Sequence, residues 1–355
     1  MKRLVFSVAI VASIFLLALL IDAPTLTRAL LSLPTVTVLS LLAVLFANEI
    51  VKGLRWAFYL RAAKLDIRVI DGLTSYLGAQ AATAIPGGSV LSARLAEEHA
   101  GGRFRMRQAA PGLVVQMIGD IFAVALLAAM AIAVTGQRSI QLIIPMLALL
   151  AAICAVAVFR SERPARWLLR AMSRHRVTRR VLPVEEDFRL HLRRMLRAGV
   201  VTGGTLFSVG TTLLSVTALF ILANGLTSRG LAMIEGIYVH SFSMLAHLFV
   251  PTPSGLGASD VSLAGMLNYL GIGLGRATVI ALTYRSVGLL FRTAIGLLTL
   301  FALYPSVLVE VRAGTCPAPS PVTSPGSALL SATGLAAMPE LPSPAIDRLA
   351  PSSED

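Results

Sequence analysis

Six charged side chains stand inside stretches that otherwise hold almost none: Glu49, Asp120, Glu235, Asp260, Arg285 and Arg292. A charge at the centre of a membrane helix costs about 2.5–3.5 kcal/mol on insertion scales, so such residues pair, face a cavity or serve a function. Arg285 lies about eight residues into its apolar run. A guanidinium at that depth needs a carboxylate or an anionic ligand, and its planar fork matches phosphate bidentately. Asp260 or Glu235 would satisfy it as partner. Arg292 follows seven residues later, on the same helical face. Two arginines in one stripe suit an anion path along a cavity and do not suit lipid. Asp260 directly follows a Gly-rich break, where it complements the dipole of a half-helix or caps its N–H groups. Arg94, with Glu97 and Glu98 close by, either closes a cytoplasmic mouth or snorkels to the surface. His240 and His247, also seven apart, fit either a proton relay or two satisfied buried histidines.

The elements that must position these groups are membrane helices. The chain is 56% hydrophobic and only 14% charged over 355 residues, whereas a soluble domain carries roughly a quarter charged residues. Apolar runs of about 18 residues or more read as spans. Leu4–Ile21, Thr35–Val51, Pro111–Val134, Ile140–Phe159, Gly199–Ala223 and Ala277–Leu303 are six of them. The first, after Met1-Lys2-Arg3, is too long for a signal-peptide core and has no small-x-small cleavage site, so it reads as a retained span. With these spans, 25 of the 31 Lys and Arg fall on one side and four on the other. That asymmetry places the rich side in the cytoplasm, with both ends of the chain. It also explains the net charge of +13 as topology and contact with anionic headgroups, and argues against a nucleic-acid partner.

Two further segments are broken. Val69–Ile85 runs apolar, meets Pro86-Gly87-Gly88 and returns through Ser89–Leu95. Basic residues flank both ends, which describes a re-entrant hairpin from the cytoplasm. In the second half, Leu231–Phe249 breaks at Pro253, Gly255 and Gly257 and returns through Ala258–Ile272. If both arms cross fully, the second pair adds two spans. The expected fold is therefore all-α and polytopic, with six full spans plus two Gly/Pro-broken re-entrant hairpins, or eight spans. Broken segments in corresponding places of two halves point to an inverted repeat, with its site where they meet. Irregular backbone at membrane depth survives only against protein or a wet cavity.

Residues 1–305 thus form the membrane domain. The loop 160–198 holds twelve basic residues. Ala165–Arg180 and Glu185–Arg197 suit short basic amphipathic helices lying on the inner leaflet. Residues 306–355 read as a disordered cytoplasmic tail, rich in Pro, Ser and Ala. Cys154 and Cys316 lack ligand spacing, so neither a metal site nor a disulfide framework is expected. No cofactor loop or familiar hydrolytic motif occurs.

Leu54-Arg55-Trp56 with Leu60-Arg61, then Pro86-Gly87-Gly88 with Arg94, then Asp120, then Pro253-Ser254-Gly255-Leu256-Gly257-Ala258-Ser259-Asp260, then Tyr284-Arg285 with Gly296 follow in order. This ordered set resembles the flippase-like transmembrane family, which includes the membrane part of lysylphosphatidylglycerol synthase and the archaeal AglD-type membrane proteins. The sequence departs from the family where Val90-Leu91 replaces a Gly-Glu, Ser254 a Gly, and Asp260 a Glu. The resemblance covers about residues 1–305. It implies movement of an anionic lipid or lipid-linked molecule between leaflets of a bacterial inner membrane. It does not imply aminoacyl transfer by this chain alone, because no soluble segment here is long enough for that domain. The expected substrate-binding residues are Arg285, Arg292, Asp260, Arg94 and Asp120, with membrane lipids as partners. Two other readings stand beside it. One is an intramembrane enzyme on a lipid phosphate or glycolipid, using His240, His247 and Asp260. The other is a scaffold that recruits a lipid-modifying enzyme.

Overall fold

A computed structural model describes Arg28 and residues 31–82, 88–101, 103–136, 142–161, 185–249 and 258–304. Among these residues the chain is helical, without strands. Five helices are long and apolar enough to cross a membrane: α1 (Thr35–Ala62), α4 (Pro111–Thr135), α5 (Ile143–Arg160), α7 (Ala198–Leu226) and α10 (Leu274–Leu303). Between them lie α2 (Val69–Ala79), α3 (Val90–His99), α6 (Glu185–Met195), α8 (Met233–Phe249) and α9 (Ala258–Tyr269). The expected first span, Leu4–Ile21, lies outside the described residues, as do Ala165–Arg180, the tail 306–355, and the breaks at Pro86, Gly87, Pro253, Gly255 and Gly257. Gly88 is described, in the turn that leads into α3.

Local chemistry sets several helix ends. Pro34 precedes α1, and Pro111 opens α4 at its first position, where proline's missing N–H costs nothing and its fixed φ suits a helix. Gly136 closes α4 with φ +63°, a left-handed cap that glycine adopts without a Cβ clash. Glu235 Oε2 accepts the Ala232 N–H at 2.9 Å, so this acid caps the start of α8.

The two expected broken segments appear as packed helix pairs. α2 packs on α3, and α8 packs on α9. Ser243 Oγ ties the second pair by donating to the Ser259 carbonyl at 2.6 Å. Each pair also leans on a long helix of the opposite half. α2 and the 3₁₀ turn Gln80–Ala82 lie on α10, while α8 lies on α4. The approach at α10 is backbone to backbone. A Cβ on Gly296 would stand 2.0 Å from the Ala81 nitrogen, so only glycine fits there. α1 and α2 also meet closely at two glycines, Gly53 against the Leu73 side chain and Gly72 against Ala57. Small residues let membrane helices approach closely where no hydrophobic force drives them together.

Two expectations need correction. The sequence reading ends the second span at Val51 and leaves Lys52–Arg68 near the cytoplasm. The helix instead continues unbroken to Ala62, and Arg55, Trp56, Tyr59 and Leu60 are fully buried. Lys52 and Arg55 are therefore not loop charges. The second correction concerns the basic amphipathic segment Glu185–Arg197. It is helical, but protein covers its apolar face. Phe188, Leu192, Met195 and Leu196 join one buried cluster with Trp56, Tyr59, Phe104 and Val115. An apolar stripe can be satisfied by lipid or by protein, and the spacing of residues within the helix does not distinguish them.

Candidate functional site

The polar groups of the membrane body collect where α1, α2, α4, α7, α9 and α10 approach one another. Three ion pairs organise them. Arg285 Nη1 donates to Asp260 Oδ2, which joins α10 to the first turn of α9. Arg292 Nε stands 3.2 Å from Glu49 Oε1, joining α10 to α1. Arg55 forks onto Asp120, with Nη1 on Oδ1 and Nη2 3.3 Å from Oδ2, joining α1 to α4. Arg55 Nη1 also donates to Ser208 Oγ on α7 at 2.5 Å.

The Glu49 carboxylate is the busiest group. Lys52 Nζ reaches the same oxygen as Arg292, at 2.9 Å. The Tyr76 hydroxyl donates to the other oxygen at 3.4 Å. Lys52 lies three residues after Glu49 on α1, the spacing that makes helical side chains neighbours. Tyr76 arrives from α2, the first broken segment, and Asp260 from α9, the second. Both broken segments therefore deliver a polar group to the partners of an α10 arginine.

Neutral hydrogen bonds hold the frame around the charges. Asn48 Nδ2 donates to Ser215 Oγ at 3.0 Å, and the Tyr284 hydroxyl donates to the Ser215 carbonyl at 3.1 Å. One residue of α7 thus anchors α1 and α10 together. Trp56 Nε1 donates to Ser75 Oγ at 3.2 Å, fixing α2 on α1. His240 is buried on α8 with its ring edge-on to Tyr284, centroids 6.1 Å apart. The His247 side chain lies outside the described residues.

The expected site residues divide accordingly. Arg285 and Asp260 come together as a pair, and Arg292 and Asp120 join the same polar interior through Glu49 and Arg55. Arg94 does not. It pairs with Glu97 one turn along α3, at 2.8 Å, with 53% of its side chain exposed. Arg285 and Arg292 share a face of α10, but each already faces a carboxylate, so the stripe is not two bare cations. Sequence reasoning passed over Lys52, Arg55 and Tyr76 as members of the cluster. A signal existed: apolar and polar residues keep a three-to-four spacing through Glu49, Lys52, Trp56 and Leu60, past the point where hydropathy alone ends the span.

Chemically, guanidinium groups pair with carboxylate and with phosphate oxygens in the same geometry, so Arg285 and Arg292 carry the group that recognises either anion. A family model described as "Lysylphosphatidylglycerol synthase TM region" matches residues 4–296. No curated protein matches the chain.

Proposed function

The chain belongs to the lysylphosphatidylglycerol synthase transmembrane-region family, and from that premise we propose that it moves an anionic lipid or lipid-linked molecule between leaflets. It is a multi-pass membrane protein. In this reading it sits in a bacterial inner membrane, with both ends of the chain cytoplasmic, and acts as a transporter and not as an enzyme. The two broken helix pairs form re-entrant hairpins of an inverted repeat and line a cavity open to the bilayer.

The observation that carries the reading is the convergence of both broken segments on α10. Asp260 from the second pairs with Arg285, and Tyr76 from the first holds the Glu49 that faces Arg292. Ion pairs buried between apolar helices are weak as stabilisers, because desolvation offsets most of the Coulomb gain. As exchangeable counter-ions they serve an anion well. A headgroup phosphate displaces Asp260 or Glu49 from its arginine, and the acyl chains stay in hydrocarbon. Arg285 and Arg292 are about 10 Å apart along the helix axis, at about 1.5 Å per residue, which makes two stations at different depths.

The test is lipid movement in proteoliposomes holding a headgroup-labelled anionic phospholipid, read with a membrane-impermeant quencher. The wild type brings more than half of the label within reach, and Arg285→Ala slows this. Unchanged movement in a folded Arg285→Ala protein sinks the headgroup role of that arginine.

A further inference from the structure

We infer that the anionic headgroup rests between Lys52 and Arg292, and that Lys52 sets a preference for a net anion over a zwitterion. The inference deepens the lipid-transport reading and depends on it.

Charge balance is the first argument. Asp260 matches Arg285, and Asp120 matches Arg55. At Glu49 the balance fails: Lys52 and Arg292 both reach one oxygen of a single carboxylate. The other neighbour on that carboxylate, Tyr76, is a neutral hydroxyl. Among the described residues this cluster therefore has one cation more than it has carboxylates. Surplus charge at membrane depth calls for a counter-ion.

Exposure is the second argument, and it is independent of the first. Arg292 approaches Glu49 through Nε, at 3.2 Å. Its two terminal nitrogens have no hydrogen-bond partner among the described residues. Its side chain is 38% exposed, whereas that of Glu49 is 2% exposed. Part of the Arg292 side chain is therefore accessible beside a buried carboxylate. A guanidinium fork takes two phosphate oxygens side by side, and a lysine adds a point charge. A phosphodiester monoanion bound there brings the cluster to neutrality. A zwitterionic headgroup carries its own cation toward Lys52 and Arg292, and like charges brought together disfavour it.

The rival explanation is that Lys52 only neutralises Glu49. The two explanations predict different outcomes for one substitution. If Lys52 and Arg292 hold the anion, Glu49 competes with it, so Glu49→Gln strengthens binding. If Lys52 serves Glu49 alone, Glu49→Gln leaves anion binding unchanged or weaker.

The experiment is calorimetric titration of the full chain in uncharged detergent with three probes: dioctanoyl phosphatidylglycerol, dioctanoyl phosphatidylcholine and inorganic phosphate. Variants are compared only where their thermal melts match the wild type. The expected result is binding of the phosphatidylglycerol in preference to the phosphatidylcholine. Loss of one charge-assisted contact in Lys52→Gln weakens it about tenfold, Lys52→Arg restores it, and Glu49→Gln strengthens it. Lys52→Arg and Glu49→Gln keep the proposal testable if Lys52→Gln does not fold. Lys52-dependent binding of inorganic phosphate without lipid binding overturns the lipid as source of the anion. Phosphatidylglycerol binding that ignores both Lys52 and Glu49 overturns this inference and leaves the transport reading standing. No binding of any probe by the wild type overturns both.

Discussion

Two ion pairs on α1 have opposite polarity. In the Arg55–Asp120 pair the cation is buried, its side chain 2% exposed, and the carboxylate is 44% exposed. In the Arg292–Glu49 pair the carboxylate is buried and the cation stands open. One pair shows its surroundings a negative face and the other a positive face. Their anchors differ as well. Arg55 is locked by Asp120 and by Ser208, which holds α1, α4 and α7 together. Among the described residues Arg292 forms one ion pair, to a carboxylate it shares with Lys52. The first pair reads as a rivet and the second as an exchangeable contact. An anionic ligand is repelled by the first and drawn to the second.

The largest test of that contrast removes the open partner of the buried cation. Asp120→Leu strands Arg55 among apolar side chains. Breaking a buried pair costs about 3–5 kcal/mol, and the exposure of Asp120 puts the loss near the lower end. The melt of the detergent-solubilised variant should fall, and the double variant Arg55→Leu, Asp120→Leu should recover most of it. If the double variant melts as low as the single one, the pair is not the rivet described here.

Next in size is Gly296→Ala. The added methyl meets the backbone of Gln80 and Ala81, and overpacking of this kind costs about 1–3 kcal/mol. The turn it displaces lies one helical turn from Arg292 and follows the Tyr76 helix. The variant should lose lipid movement more than it loses melting temperature. Equal losses in both would mean that the turn only packs.

Smaller still, Ser215→Ala removes the acceptor of Asn48 and keeps the carbonyl that Tyr284 uses. The same hydroxyl donates to the Thr211 carbonyl at 2.9 Å, and a neutral hydrogen bond is worth about 1 kcal/mol, so the melt should drop modestly while phosphatidylglycerol affinity holds. The smallest effect belongs to Arg94→Ala. Its exposed pair with Glu97 contributes at most about 1 kcal/mol, and both melting and lipid movement should match the wild type. A clear loss of movement in that variant would restore Arg94 to the site.

Much of this architecture is legible in the sequence. Long apolar runs determine helices, because in lipid each backbone N–H and C=O must be satisfied within its own segment. Five of the six runs read as spans appear as long helices. The isolated charges within those runs were legible for the same reason: their cost marks them out. The spacing of Arg285 and Arg292 put both on one face of α10, and Asp260 was a candidate partner from the outset. Pairing across sequence distance was not legible. Nothing local says that Arg292 meets Glu49 from a helix more than two hundred residues earlier, or that Arg55 belongs to Asp120. Those choices depend on how closely helices approach, which Gly53, Gly72 and Gly296 permit by lacking a side chain. Hydropathy also could not say where α1 ends. A helix buried in protein tolerates charges that a lipid-facing helix would exclude, so Lys52 and Arg55 looked like loop residues until their partners were in place. The sequence by itself thus determined the helices and the buried charges they carry. Tertiary structure alone decided which charge is locked and which stands open, because that depends on partners brought in by other helices.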